Sequence, residues 1–444
     1  MKNFKNVIIG FGKAGRALAK FLSQHGEESV IIERDKAMYG GTCPNVGCAP
    51  SKTLIYAGHA KQSFAAAMAK KRQVCEVLHN GAYHGAADEP LVSVLDGVAS
   101  FSSPTELTVT AEDGTITSVT GERFFINTGS TPIIPDIVKK SQKKSQNILT
   151  STTAMELDEL PQNLVIIGAG YIGLEFAGMF NSFGAKVTVL ESSPVFLPNE
   201  DADISAAIFA DLTNSGINLQ LSANVEKISD TEVVASGKSY KADKILLAAG
   251  RKPNIEDLQL QNAGVQLENG YIKVTDTLQT TAPNIWAMGD VRGGPQFYYL
   301  STDDFRIISN QLFGDKTRKL SDRTPVPYSI FITPPLSHVG LSEKSAQAQG
   351  VKYRLFKMPA APIVRTKVAQ DMRGMLKALV DPQTSEILGV TLYHVDSHEV
   401  INLITLAMQA KMPYTALRDR IYTHPTATEG LNDLFSNEVK VSLN

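Results

Sequence analysis

Apolar residues in this chain gather in short blocks separated by glycine turns and helical stretches. The first block, "NVIIG", reads as a strand, and the residues after it, "FGKAGRALAKFLSQHG", pass through a glycine turn into an amphipathic helix. The next block, "SVIIE", reads as a second strand closing at Glu33. The same order returns in "NLVIIGAGYIGLEFAGMFNSFGAKVTVLE", which closes at Glu191. Strand, turn, helix and strand in that order make a βαβ unit, so two parallel-sheet α/β lobes are predicted. Apart from this doubled unit there is no short repeat. Downstream, "NIWAMG" has a strand pattern before Asp290, and "APSKTLIYAGHAKQSFAAAMAKK" reads as strongly helical.

Each glycine turn has a chemical use. Gly10 permits a tight turn, Gly12 lets a pyrophosphate approach the backbone, and Gly15 lets helix and strand pack, with the helix N-terminus facing the phosphates. Glu33 is placed to accept from a ribose hydroxyl. Gly168, Gly170, Gly173 and Glu191 repeat the set. Two such sites in one chain predict an enzyme that passes electrons or hydride between two dinucleotides. An acid at Glu191 repels a 2′-phosphate, and the following "SSP" offers no arginine, so NADH is expected over NADPH.

Composition narrows the partners. The chain has 444 residues, 43% hydrophobic and 20% charged, enough for two or three domains with their own cores. A formal net charge of -2 with no long basic run gives no footprint for nucleic acid or an anionic membrane, so small molecules or ions are the expected partners. No apolar stretch approaches a membrane span, and a cytoplasmic location is expected.

The three cysteines, Cys43, Cys48 and Cys75, are too few for a disulfide framework. In a straight helix, residues five apart are separated by roughly 7.5 Å of rise. That exceeds disulfide reach, so pairing Cys43 with Cys48 requires a folded turn or a distorted helix start, which Pro44, Asn45 and Gly47 suit. Cys48 would then lie near a helix N-terminus, whose dipole favours thiolate. A redox pair, a metal clamp and two unrelated thiols are all open at this point, although zinc would need further ligands that no nearby Cys/His cluster supplies. Cys75, His338 and His398 read as packing or solvent-facing residues.

The first glycine fingerprint, "GGTCPNVGCAPSK", "INTGS", "GAGYIGLE", "GRKPN", "TTAPNIWAMGD" and "HPTATE" together resemble the pyridine nucleotide-disulfide oxidoreductases, the family of dihydrolipoamide dehydrogenase and mercuric reductase. The resemblance covers essentially the whole chain. It implies two doubly wound dinucleotide-binding domains and a C-terminal α+β dimerisation domain. The expected division is an FAD domain at 1–148, an NAD(P)H domain at 149–268, a return to the FAD domain at 269–322 and the dimerisation domain at 323–444. The polar stretch "KKSQKKSQN" suits a surface connector before the second lobe.

The resemblance also assigns residues. FAD would be held by Gly10, Gly12, Gly15, Glu33, Gly41, Thr42, Lys52, Gly129 and Asp290, and NAD(P)H by Gly168, Gly170, Tyr171, Ile172, Gly173, Glu191 and Gly250. Cys43 and Cys48 would form the redox-active disulfide, with Cys48 nearer the flavin and Cys43 the exposed, attacking thiol. Lys52 and Glu175 would be an ion pair beside the flavin. His424 and Glu429 would be the acid-base pair acting on the other subunit, which implies a homodimer.

Within the family, the chain lacks the C-terminal cysteine pair of mercuric reductases, and Phe297, Tyr298 and Tyr299 follow the "GD" segment where lipoamide dehydrogenases place small residues. "GFGKAG", "AMYGGTC", "GGPQFYYLSTDDFRI", "TPPLSHVG" and "VDSHEVIN" look like the reactive-chlorine-resistance copper(II) reductases of bacteria. Cu(II) is therefore the expected acceptor, with Cys43 and Cys48 as its transient ligands. Dihydrolipoamide or another small disulfide, mercury, and a non-catalytic copper-binding or oxidant-sensing role are the alternatives.

Overall fold

The computed structural model describes residues 2–139 and 145–440. It divides into two compact units. The first takes Met1–Pro135, Thr150–Glu159 and Ala249–Asp322, and the second Asp136–Leu149, Leu160–Ala248 and Arg323–Asn444. Most of the connector "KKSQKKSQN" lies outside the described residues. The expected nicotinamide lobe overlaps the second unit from Leu160 to Ala248.

The first unit is built on the strand Lys2–Ile9, which pairs in parallel with Ser29–Glu33 on one side and Ile116–Ile126 on the other. Val92–Asp96 extends the sheet beyond Ser29–Glu33, and Glu106–Thr110 and Val98–Ser103 extend it beyond Ile116–Ile126. Side chains alternate across a pleated sheet. Val7, Ile9, Val30, Ile32, Phe124 and Ile126 accordingly enter one apolar core, while Ile8, Ile31 and Phe125 enter another. The parallel part of this sheet is covered on both faces, which explains why Lys2–Ile9 and Ser29–Glu33 read as apolar blocks, while Glu106–Thr110 and Val98–Ser103 join antiparallel. The helix α1 (Lys13–Gln24) packs Ala14, Leu18, Ala19 and Leu22 into the second core.

Three helices follow: α2 (Thr42–Val46), α3 (Cys48–His59) and α4 (Phe64–Ala87). The stretch expected to be helical from Ala49 onward is broken. The α3 helix ends at His59, and Ser63 starts α4 by accepting a hydrogen bond from the Ala66 N–H.

The second unit repeats the parallel arrangement. Asn163–Ile167 pairs with Lys186–Leu190 and Lys244–Leu247, and Asn218–Gln220 extends the sheet. Its C-terminal part is an antiparallel sheet in the order Tyr328–Ile330, Leu336–Gly340, Ile387–Tyr393, Met375–Val380, Arg354–Pro359, Glu438–Val439. Phe356, Leu376, Val390 and Leu392 pack there with Val400, Ile401 and Ile404 of the helix Ser397–Gln409. The predicted α/β class, with two parallel-sheet lobes and an α+β C-terminal region, is the fold observed. Among the described residues no helix is long and apolar enough to cross a membrane.

Lys377, only 2% exposed, ties the second unit together. Its ammonium lies 2.8 Å from Asp201, 2.9 Å from Asp203 and 2.6 Å from Glu343. Burial pulls its pKa down, but the three carboxylates outweigh burial and the net shift is upward. Lys377→Met removes the cation and leaves buried Asp201 without one, so it should cost about 3–5 kcal/mol. Thermal unfolding of the variant checks this, with a clear fall in midpoint expected.

Candidate active site

The two glycine turns match bond for bond. Gly10 and Gly168 sit at φ +104° and +107°, a region that favours glycine. The Gly10 N–H donates to the Ile32 carbonyl at 2.7 Å, and the Gly168 N–H to the Leu190 carbonyl at 2.8 Å. A Cβ on Gly15 would stand 2.6 Å from the Gly10 carbonyl oxygen, and one on Gly173 would stand 2.1 Å from that of Gly168. Each helix therefore approaches its strand as closely as backbone permits. Each strand-end acid closes the turn: Glu33 accepts from the Phe11 N–H and Glu191 from the Ala169 N–H, both at 2.8 Å.

The acids differ in their surroundings. Glu33 is buried, and burial raises its pKa against the N–H bonds from Phe11 and Asp35 that lower it. Glu191 is half-buried and also accepts from the Ser193 N–H at 2.8 Å. It lines a cleft of about 180 Å³ with Gly170, Tyr171 and Ser193. The N-cap of the helix Tyr171–Ser182 is Gly170, which makes no side-chain cap, and a Cβ there would meet nothing within 4 Å among the described residues. Open N–H groups beside an open glycine fit a nucleotide diphosphate. Tyr171 itself is hydrogen-bonded to Glu200 at 2.9 Å, while Ile172 is exposed.

In the first unit, Asn127 takes part in the turn. With its amide turned so that the oxygen faces the helix, which satisfies both ends of the group, Asn127 accepts from the Gly15 and Gly12 N–H groups at 3.0 and 3.2 Å and caps α1. The corresponding residue of the second turn is Ala248: the Asn127 N–H donates to Ile9 as the Ala248 N–H donates to Ile167. Sequence reasoning missed Asn127, although comparing "FFINTG" with "ILLAAG" exposes the difference. Gly41, at φ +81°, packs so closely that a Cβ would lie 2.9 Å from the Gly12 Cα. Only bare backbone fits between these loops, which leaves the narrow cradle that a second dinucleotide needs.

The thiols follow directly. Cys43 lies on α2 and Cys48 opens α3, with Gly47 between them at φ -130°, ψ -116°. The break folds the chain back, so that the two sulfurs, not joined by a disulfide, are hydrogen-bonded to each other. Within the chain Cys43 is half-buried and Cys48 exposed. The bond to Cys48, and then burial, push the Cys43 thiol well up, while the Ala49 N–H and the Lys52 charge pull it back. Thr42 begins α2, and Lys52 stands one turn beyond Cys48.

Two glycines with positive φ, Gly129 and Gly250, precede the paired strands Ser130–Pro132 and Arg251–Pro253, both in the first unit. Ser130 donates to Asp290 at 2.7 Å, and Arg251 holds Ser130 through its hydroxyl at 2.8 Å and its carbonyl at 2.7 Å. Burial lowers the Arg251 pKa, and the charges of Asp290 and Cys48 raise it. Arg251 was overlooked because "GRKPN" was read for its glycine alone. The turn carrying Asp290 is pinned by fully buried Asp304, which accepts from the Gly289 N–H and from Arg292.

Of the aromatic trio, Tyr298 receives a hydrogen bond from Arg16, while Phe297 and Tyr299 stack at 5.2 Å. Burial, and then the charge of Cys48, raise the Tyr299 phenol. In the second unit Glu175 accepts from the Phe331 N–H at 2.9 Å. His424 Nδ1 lies 2.8 Å from Glu429, which leaves its ring 63% exposed and Nε2 available as a proton acceptor. His338 is buried between Thr391 and the Gly340 carbonyl. Among the described residues no group of three or more Cys, His, Asp or Glu side chains forms a metal site.

Comparison with known proteins adds to this geometry. The pyridine nucleotide-disulphide oxidoreductase family model matches residues 4–304, and the model of its dimerisation domain matches residues 326–435. The chain is 45% identical over 441 residues to RclA of Escherichia coli, spanning 98% of this chain and 99% of the relative. It superposes on the Cu(II) complex of that HOCl-induced flavoprotein disulfide reductase with a TM-score of 0.95 at 44% identity, covering 98% of this chain and 99% of the other. Mercuric reductase of Staphylococcus aureus is 32% identical over 451 residues, covering 96% of this chain and 80% of the relative. A likeness that runs through both lobes and the dimerisation region admits one assignment: this chain belongs to the pyridine nucleotide-disulfide oxidoreductase family, an oxidoreductase whose family uses FAD and NAD(P)H.

Proposed function

We propose that the protein is an NADH-dependent flavoenzyme that reduces Cu(II) to Cu(I) through the Cys43/Cys48 dithiol, acting as a homodimer in the cytoplasm during oxidant stress. The observation that carries the reading is the pair of thiols hydrogen-bonded to each other across the break at Gly47. When bound, FAD would supply the two-electron redox chemistry that links the nicotinamide to the Cys43/Cys48 pair. The residues assigned to hold it are those around Gly10, Gly12, Gly15, Glu33, Gly41, Thr42, Lys52, Gly129 and Asp290. Gly168, Gly170, Tyr171, Ile172, Gly173, Glu191 and Gly250 are assigned to the nicotinamide nucleotide.

The dithiol then does the work. Closing the Cys43–Cys48 bond releases two electrons and two protons, enough to reduce two Cu(II) ions in single-electron steps. Soft thiolates bind Cu(I) well, which draws the transfer forward. In this reading His424, oriented by Glu429, would take the proton from Cys43 across the subunit interface, and Lys52 and Glu175 are the residues that the family resemblance assigns beside the flavin. The copper complex of the HOCl-induced relative supports the substrate and the stress setting. The domain division at 148, 268 and 322 belongs to the same reading, and the unit boundary after Asp322 supports its last break.

Purified enzyme should oxidise NADH in the presence of Cu(II) and form Cu(I), with little turnover of lipoamide. In Cys43→Ser, Cu(I) formation should fall by roughly a hundredfold or more while bound flavin is retained. Rapid lipoamide turnover without copper-dependent NADH oxidation would contradict the copper reading.

Glu191→Arg should move the kcat/KM ratio toward NADPH by roughly tenfold or more, because the carboxylate that would repel a 2′-phosphate is replaced by a cation. An unchanged ratio would remove Glu191 from the ribose site.

A further inference from the structure

The inner face of α4 is an unusual one. Fully buried Lys71, half-buried Cys75 and half-buried His79 follow one another at four-residue spacing, while Val77 and Leu78 are 71% and 42% exposed. Met68, Ala82 and Ala86 are buried on the same face, so the polar residues sit in the middle of an otherwise apolar stripe. Each inward polar residue has a partner on the chain around the dithiol or on the neighbouring turn.

Lys71 donates to the Met155 carbonyl at 2.7 Å and to Glu156 at 2.8 Å, which anchors one end of the stripe. Cys75 Sγ lies 3.8 Å from the Asn45 carbonyl oxygen, and His79 Nδ1 lies 3.0 Å from Asn45 Oδ1. Asn45, between the two thiols in sequence, donates its amide to the carbonyls of Tyr39 at 2.9 Å and Gly41 at 2.8 Å. Because that amide nitrogen faces two acceptors, Oδ1 is left for a donor, and the His79 Nδ1–H supplies it. The imidazole is steadied by the Tyr39 ring, 5.8 Å away. Helix and loop also meet closely: a Cβ on Gly40 would lie 2.7 Å from the Ala82 Cβ.

We propose that His79 is a positioning residue for the Cys43/Cys48 pair, fixing the Asn45 amide so that the turn carrying both thiols is held ready for disulfide closure. This rests on the dithiol reading given above. Closure joins the two sulfurs and releases two electrons and two protons, and its equilibrium depends on how often the turn holds the thiols within bonding reach. Loosening the turn favours the open dithiol, so the pair becomes easier to reduce and its potential less negative.

The test is the midpoint of the Cys43/Cys48 couple in the flavin-loaded protein, measured by thiol labelling across dithiothreitol redox buffers. His79→Leu should shift the dithiol/disulfide equilibrium about tenfold toward the dithiol, which for two electrons is about 30 mV. His79→Asn, whose amide nitrogen can take the place of Nδ1, should restore the wild-type midpoint. His79→Gln, which moves the donor outward, serves the same comparison if His79→Leu yields no flavin-loaded protein. An unchanged midpoint in these donor-lacking or displaced variants, a shift toward the disulfide, or failure of His79→Asn to restore would overturn the proposal. A wild-type pair that closes no disulfide at any potential would overturn the dithiol reading as well, which separates the two failures.

Discussion

One close contact, made twice, sets the conditions for everything else: the third glycine of each turn lies against the carbonyl of the first, where a Cβ would come within 2.6 Å at Gly15 and 2.1 Å at Gly173. This approach brings the helix N-termini up to the strand ends. It leaves Gly12 and Gly170 as bare backbone, the room that the proposed reading gives to a pyrophosphate. The acids that close the turns, Glu33 and Glu191, are held by backbone N–H groups rather than by side chains. They are therefore part of the frame as well as candidates for ribose recognition.

The first turn carries an added layer. Gly41 reaches the Gly12 backbone and Asn127 caps α1, so the chain entering the thiol segment is fixed to the nucleotide loop. From there α2, Gly47 and α3 place Cys43 and Cys48 side by side, and α4 grips the turn through Asn45. The positions of the thiols thus descend from the glycine turn by a short series of backbone contacts. The second turn has Ala248 in place of Asn127 and no dithiol beyond it, and its helix N-terminus stays open. In the proposed reading this difference would suit one lobe to retaining a cofactor and the other to exchanging one.

Much of this was legible in the sequence. The repeated apolar blocks gave both parallel sheets, because strands buried on two faces must be apolar throughout. The glycine spacing gave the turns, and the five-residue step from Cys43 to Cys48 demanded a break that Gly47 supplies. What stayed hidden depended on contacts distant in sequence. Asn127 meets Gly12 only after the strands align, and Arg251 meets Ser130 across 121 positions. Nothing in "KKRQVCEVLHN" says which side of the helix faces inward. Cys75 and His79 gain their meaning from Asn45, 30 and 34 residues away.

The account makes the dithiol, rather than the flavin itself, the donor of electrons to the metal. An anaerobic single-turnover titration tests this most directly: the NADH-reduced enzyme, freed of excess nucleotide, is mixed with Cu(II) while Cu(I) and labelled Cys43 and Cys48 are counted together. The account predicts two Cu(I) formed for every pair of thiols lost. Cu(I) appearing while both thiols remain open to the label would contradict it.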